Sequence, residues 1–130
     1  MRGSLQLYGA VALGGAVGAL ARAGLLEAWT PRPGAWPWAT FAANVAGAFL
    51  LGFFATRLQE RLPPSTLQRP LLGTGFCGAL TTFSTLDIEV LRLVRQHCTG
   101  LAAGYLAASL VCGFAAVFAA TMLVRRARLR

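Results

Sequence analysis

Four long apolar runs separated by short polar stretches set the pattern of this chain. The first extends from Leu5 to about Leu26, the second from Ala39 to Thr56, the third from Leu71 to about Arg95 and the fourth from Leu101 to Val124. The second holds eighteen residues and the fourth twenty-four without a formal charge, near or above the roughly 20 that a helix needs to cross about 30 Å of hydrocarbon. The stretches between them carry loop signals: Pro31, Pro33, Gly34 and Pro37 after the first run, Pro63-Pro64 after the second, and a turn around His97 before the fourth. Pro70 suits the first turn of a helix. The pattern predicts an all-α integral membrane protein, one domain over residues 1–130, with four transmembrane helices.

The third run differs from the others. Gly73, Gly75 and Gly78 are followed by Thr81, Thr82, Ser84 and Thr85 around Phe83, so a break is expected near Gly78 to Thr82. Irregular backbone at bilayer depth is tolerated only inside protein or against a wet cavity, because lipid cannot satisfy freed N–H and C=O groups. Carbonyls at a helix interruption suit a hard monovalent cation, whereas half-helix ends and hydroxyl donors suit an anion. Hydroxyls bonding back to their own helix are the alternative, which accounts for one or two of them more readily than for four beside three glycines. Asp87, Glu89, Arg92 and Arg95 are expected to mark the exit toward water.

Polar residues in the other runs have two readings each. Asn44, with Thr40 one turn earlier, is either glue between helices or a ligand to a passing ion. Arg22 is either a snorkelling arginine or a buried charge that orders a vestibule. Gly14 and Gly18 form a G-x-x-x-G face for close helix packing, and Gly100 and Gly104 form another. Tyr105 and Ser109 lie four residues apart, which points both hydroxyls to one side of the fourth helix, unless Tyr105 is only an interface anchor. Trp29, Trp36 and Trp38 read as an interfacial aromatic belt.

Composition sharpens this picture. Of the 130 residues, 56% are hydrophobic and 12% charged, too apolar for an ordinary soluble domain. The net charge of +8 comes from arginines in loops and at the termini rather than along one amphipathic face, which argues against nucleic acid and for lipid headgroups. Cys77, Cys98 and Cys112 lack C-x-x-C spacing and read as packing residues. His97 has no partner at metal-ligand spacing. The first run has no clear cleavage site before Arg22 and fits a retained helix. Arg2, Arg57, Arg61, Arg69, Arg125, Arg126, Arg128 and Arg130 fall on one side of a four-span chain, against Arg22, Arg32, Arg92 and Arg95 on the other. Taken alone, that distribution predicts both termini in the cytoplasm. Four short helices are few to enclose a polar path, so a homo-oligomer is expected, most simply a dimer.

These residues resemble the fluoride-channel family known as Fluc or CrcB, over all four helices. The first helix is similar to the family's G-G-x-x-G-A-x-x-R through Gly14, Gly15, Gly18, Ala19 and Arg22. The second resembles G-T-x-x-x-N-x-x-G-x-F-x-x-G through Thr40, Asn44, Gly47, Phe49 and Gly52, with Ala39 replacing the leading glycine. The third resembles G-F-C-G-G-x-T-T-F-S-T-F, except that Ala79 stands where the second glycine of its G-G pair would be and Leu86 where it has a second phenylalanine.

The resemblance implies an antiparallel, dual-topology homodimer in the cell inner membrane or plasma membrane, with two fluoride pathways. It also implies a structural sodium ion held by the backbone carbonyls of Gly78 and Thr81. Dual topology and the one-sided arginine distribution are opposed expectations. Fluoride is small and strongly hydrated, so a pathway must replace its water with donors. Asn44 offers an amide N–H, Ser84 and Thr85 offer hydroxyls, and Phe83 offers the positive edge of its ring. Tyr105 and Ser109 match the family's fourth-helix polar track, and Arg22 its vestibule arginine. Leu86 has no aromatic edge, so anion contact there is expected to be weaker. The rivals are a four-helix proton-coupled multidrug transporter and a membrane structural or assembly protein. The first would need an embedded glutamate in the first helix, which has none before Glu27; the second leaves Asn44 and the threonine-rich break unexplained. No nucleophile, base and orienting group come together for an enzyme.

Overall fold

A computed structural model describes residues 2–30, 32–60 and 67–127, and these are helical apart from turns, with no strand among them. Pro31, Arg61, the Pro63-Pro64 turn, Arg128 and Arg130 lie outside the described residues. Helix α1 spans Arg2–Ala28, α2 Trp38–Glu60 and α5 Thr99–Arg126. Between α2 and α5 the third apolar run divides. Its first part, α3, is a π-helix over Pro70–Cys77 continued by one α-turn over Gly78–Leu80; its second part, α4, spans Phe83–Arg95. Three helices, over Gly3–Ala28, Trp38–Glu60 and Thr99–Arg126, are long and apolar enough to cross a membrane, with mean hydropathies of 1.5, 1.6 and 2.2. The chain is a multi-pass membrane protein. These helices run past the apolar segments at one or both ends, because residues such as Gln59, Glu60, Arg125 and Arg126 continue a helix readily once it has left the hydrocarbon.

Glycines set the helix contacts. Gly14 and Gly18 of α1 lie directly on the carbonyls of Leu71 and Phe76 in α3, so close that a Cβ at either position would overlap those oxygens. A Cβ at Gly75 of α3 would sit 2.7 Å from the carbonyl oxygen of Val11. The G-x-x-x-G face of α1 is thus used within the chain and is not spare surface for a second subunit. On α5 the position is reversed, since a Cβ at Gly100 or Gly104 would meet nothing within 4 Å among the described residues. Helix α2 packs chiefly on α5, where Gly52 approaches the backbone of Val117.

The two ends of the bundle are tied differently. At one, Arg125 places Nε and Nη2 at 3.0 and 2.9 Å from Oε1 of Glu60, joining α5 to α2. At the other, the N–H of Gly34 donates to Oε1 of Gln96 at 2.8 Å, drawing the α1–α2 loop onto the end of α4. Gly34 has φ +68°, the left-handed region that a Cβ disfavours. The tryptophan belt is only partly as expected. Trp29 and Trp38 are exposed, but Trp36 turns inward, edge-on to Tyr105 and Phe41 at 5.4 and 5.5 Å between ring centres. The aromatic ring thereby covers the core formed by Leu86, Leu93, Ala102 and Tyr105.

Candidate ion pathway at the helix break

The interruption falls on Thr81 and Thr82, at the end of the predicted interval, both in extended conformation (φ −80°, ψ 152° and φ −150°, ψ 120°). In an unbroken helix the N–H of Thr82 would bond to the carbonyl of Gly78. Here it donates to Oδ1 of Asn44 at 2.8 Å, while Nδ2 of Asn44 donates to the carbonyl of Thr82 at 3.0 Å. One side chain from α2 therefore satisfies both backbone groups of the residue at the break, as a neighbouring strand would. Space for the break comes from the same helix. Gly47 lies against the methyl of Thr81, where a Cβ would overlap it.

The four hydroxyls of the motif divide by role. Thr81 Oγ1 donates back to the carbonyl of Cys77 at 2.9 Å, the own-helix bond of a bending hydroxyl. Thr82 caps α4, its Oγ1 accepting the N–H of Thr85 at 3.2 Å and donating to Oγ1 of Thr85 at 3.0 Å. Ser84 Oγ lies 3.4 Å from the same oxygen and Ser84 is exposed. Phe83, the first residue of α4, is 73% exposed on the outside of the single chain. Leu86, about one turn on, is buried in the core.

Two helix ends of opposite polarity meet here. The α3 end presents carbonyls, with that of Gly78 relieved of its helical donor and Gly78 itself exposed. The α4 end presents backbone N–H groups, where a helix carries about half a positive charge. A cation is favoured on one side of the break and an anion on the other. Among the described residues no cluster of His, Cys, Asp or Glu is fit to hold a metal.

The residues of α5 stand apart from the break. Tyr105 is fully buried and its hydroxyl donates to Oε2 of Glu89 at 2.7 Å; Thr40 Oγ1 donates to Oε1 of the same carboxylate, also at 2.7 Å. Glu89 is 7% exposed, which corrects the expectation that it marks the way to water beside Asp87, Arg92 and Arg95. Those three are exposed. Ser109 Oγ is buried without a hydrogen-bond partner among the described residues. Arg22 is half-buried on α1 and forms no ion pair among them. The break thus brings together Asn44, Thr82, Ser84, Thr85 and Phe83, while Tyr105 joins Glu89 and Thr40 in a second polar cluster.

Residues 9–121 match the model of a protein family described as CrcB-like protein, Camphor Resistance (CrcB). The chain belongs to the CrcB family. Among its CrcB relatives, the Fluoride-specific ion channel FluC 1 of Mycolicibacterium paratuberculosis is 57% identical over 121 residues, covering 93% of this chain and 92% of that protein. The protein of the same name from Mycobacterium bovis is 56% identical over the same shares. The Fluoride-specific ion channel FluC of Saccharophagus degradans is 42% identical over 123 residues, covering 95% and 92%. In this CrcB chain the polar residue that the apolar pattern hides is Glu89. One signal for it was present, since Glu89 lies four residues after Thr85 and so shares its face of α4.

Proposed function

We propose that the chain is a passive, fluoride-specific ion channel and not an enzyme, working as an antiparallel homodimer of four-span subunits in the inner or plasma membrane. The observation that carries this reading is the break at Thr81–Thr82, held open by Asn44 and flanked by Phe83 on the outside of the chain. Freed backbone groups and hydroxyls in that position are incompatible with lipid. A second subunit covers them, and the fluoride path runs where the two meet. The names of the relatives support fluoride as the ion.

Each residue then has a chemical task. Asn44 has a second amide N–H beyond the one spent on Thr82. Ser84 and Thr85 add hydroxyl donors, and the ring edge of Phe83 adds a weak positive field. Together they replace the water that fluoride sheds, at the positive end of α4. Ser109 adds one buried hydroxyl, whereas Tyr105 acts through its bond to Glu89. Arg22 orders the vestibule. The carbonyls of Gly78 and Thr81 fit a sodium ion, which when bound would supply positive charge that joins the two subunits; because the Thr82 N–H donates to Asn44 Oδ1, the Gly78 oxygen is left free for it. In an antiparallel pair each membrane face carries one arginine-rich end and one poorer end, so the assembled dimer has no net bias even though each subunit does. Fluoride that enters a cell as neutral HF from acidic surroundings dissociates inside, and the membrane potential drives the anion out through the channel. Fluoride efflux from proteoliposomes, read with an ion-selective electrode, tests the proposal; vesicles that retain their fluoride would overturn it.

A further inference from the structure

Thr85, Glu89, Arg92 and Gln96 follow one another at steps of four, three and four residues, which stacks them on one face of α4 from the break to its end. The stripe leads to a cavity of about 160 Å³ lined by Arg32, Gly34, Glu89, Arg92 and Gln96. A second cavity, of about 430 Å³, shares Arg32 and Glu89 and includes Trp29, Trp36 and Trp38. Arg32 and Arg92 are both exposed, and the only ion pair among the described residues is Arg125 with Glu60. The one carboxylate on the cavity wall does not answer them. Both oxygens of Glu89 accept hydroxyls from Thr40 and Tyr105 and are drawn toward the interior.

We infer that Arg32 and Arg92 form an electropositive collar that gathers small hydrated anions at the loop end of the α4 polar stripe. Two unpaired guanidinium groups beside a low-dielectric wall raise the local anion concentration and with it the rate of entry, an effect that added salt suppresses. The consequence for transport rests on the channel reading; the gathering of anions does not. Lipid phosphate is the other anion that such a collar attracts at a tryptophan-bearing boundary. The continuity of the stripe with Thr85 favours the transported ion over a headgroup.

The three tryptophans of the chain all lie at this end, so their fluorescence reports the collar directly. In alkyl maltoside micelles, which contain no phosphate, quenching by iodide is compared with quenching by neutral acrylamide. The expected result is an iodide quenching constant at least about twofold lower in Arg32→Gln/Arg92→Gln than in the parent, at roughly 50 mM ionic strength, with acrylamide unchanged. In vesicles at sub-saturating fluoride, efflux of the double variant falls about three- to fivefold at ~10 mM ionic strength and under about 1.5-fold at ~1 M. Equal iodide quenching in parent and variant, or efflux that is reduced equally at both ionic strengths, overturns the collar. So does loss of the iodide excess when anionic lipid is added to the micelles, which would assign the arginines to headgroups. A parent that shows the iodide excess but passes no fluoride contradicts the channel and leaves the anion collar standing.

Discussion

Replacing Asn44 with alanine removes both hydrogen bonds that hold Thr82, the N–H to Oδ1 at 2.8 Å and the Nδ2–H to the carbonyl at 3.0 Å. The hydroxyl of Thr82 is already committed to Thr85. A buried donor or acceptor left without a partner costs about 1–3 kcal/mol. Two such groups at a partly buried site amount to roughly 2–4 kcal/mol, taking the lower half of that range. At about 1.4 kcal/mol per factor of ten, the break would be held in its open geometry tens to several hundred times less firmly. Fluoride efflux from Asn44→Ala proteoliposomes is expected to fall at least tenfold, and thermal unfolding in detergent to come about 5–10 °C earlier. Gel filtration checks that the assembly persists. Efflux within twofold of the parent together with an unshifted unfolding temperature would refute the view that Asn44 holds the break.

Phe83→Ile is expected to depress fluoride efflux by about tenfold or more with an unchanged unfolding temperature, because the ring is exposed and contributes an aromatic edge rather than core packing; a parallel loss of stability would reassign it to structure. Gly18→Ala forces a methyl onto the Phe76 carbonyl, a backbone atom that cannot yield cheaply, and is expected to prevent recovery of monodisperse protein; normal yield would contradict the close α1–α3 contact. Tyr105→Phe leaves Oε2 of Glu89 without its donor in a buried site, and denaturant or thermal unfolding should register a loss of about 1–3 kcal/mol. Unaltered stability would mean that another donor reaches the carboxylate.

Much of the site was legible because lipid makes backbone accounting strict. Glycines and hydroxyls at mid-membrane depth pointed to an interruption near Gly78 to Thr82, and it falls on Thr81 and Thr82. The choice at Asn44 between glue and ligand turned out to be less exclusive than the residue pattern implied. Its amide oxygen and one N–H are glue to the break, and the second N–H of the amide is the group that the proposed ion role uses. The π-winding of Pro70–Cys77 was not legible, since it accompanies the approach of the Leu71 and Phe76 carbonyls to glycines on a different helix. Glu89 was hidden for a related reason. Its partners are Thr40, 49 residues away on α2, and Tyr105, 16 residues away on α5, while its near neighbours Asp87 and Arg92 suggest water. Trp36 and Leu86 likewise take their inward positions from packing against α5, which apolar runs without periodic polarity do not specify.

A fluoride-specific channel passes fluoride beside the break and holds back other anions. Proteoliposomes containing the purified chain, loaded in parallel with fluoride or with chloride and opened to the same outward gradient under a potassium–valinomycin potential, give the most direct answer. Rapid fluoride release is expected, arrested by Asn44→Ala, with chloride retained at the level of protein-free vesicles. Equal release of the two anions, or no fluoride release from the parent chain, would contradict it.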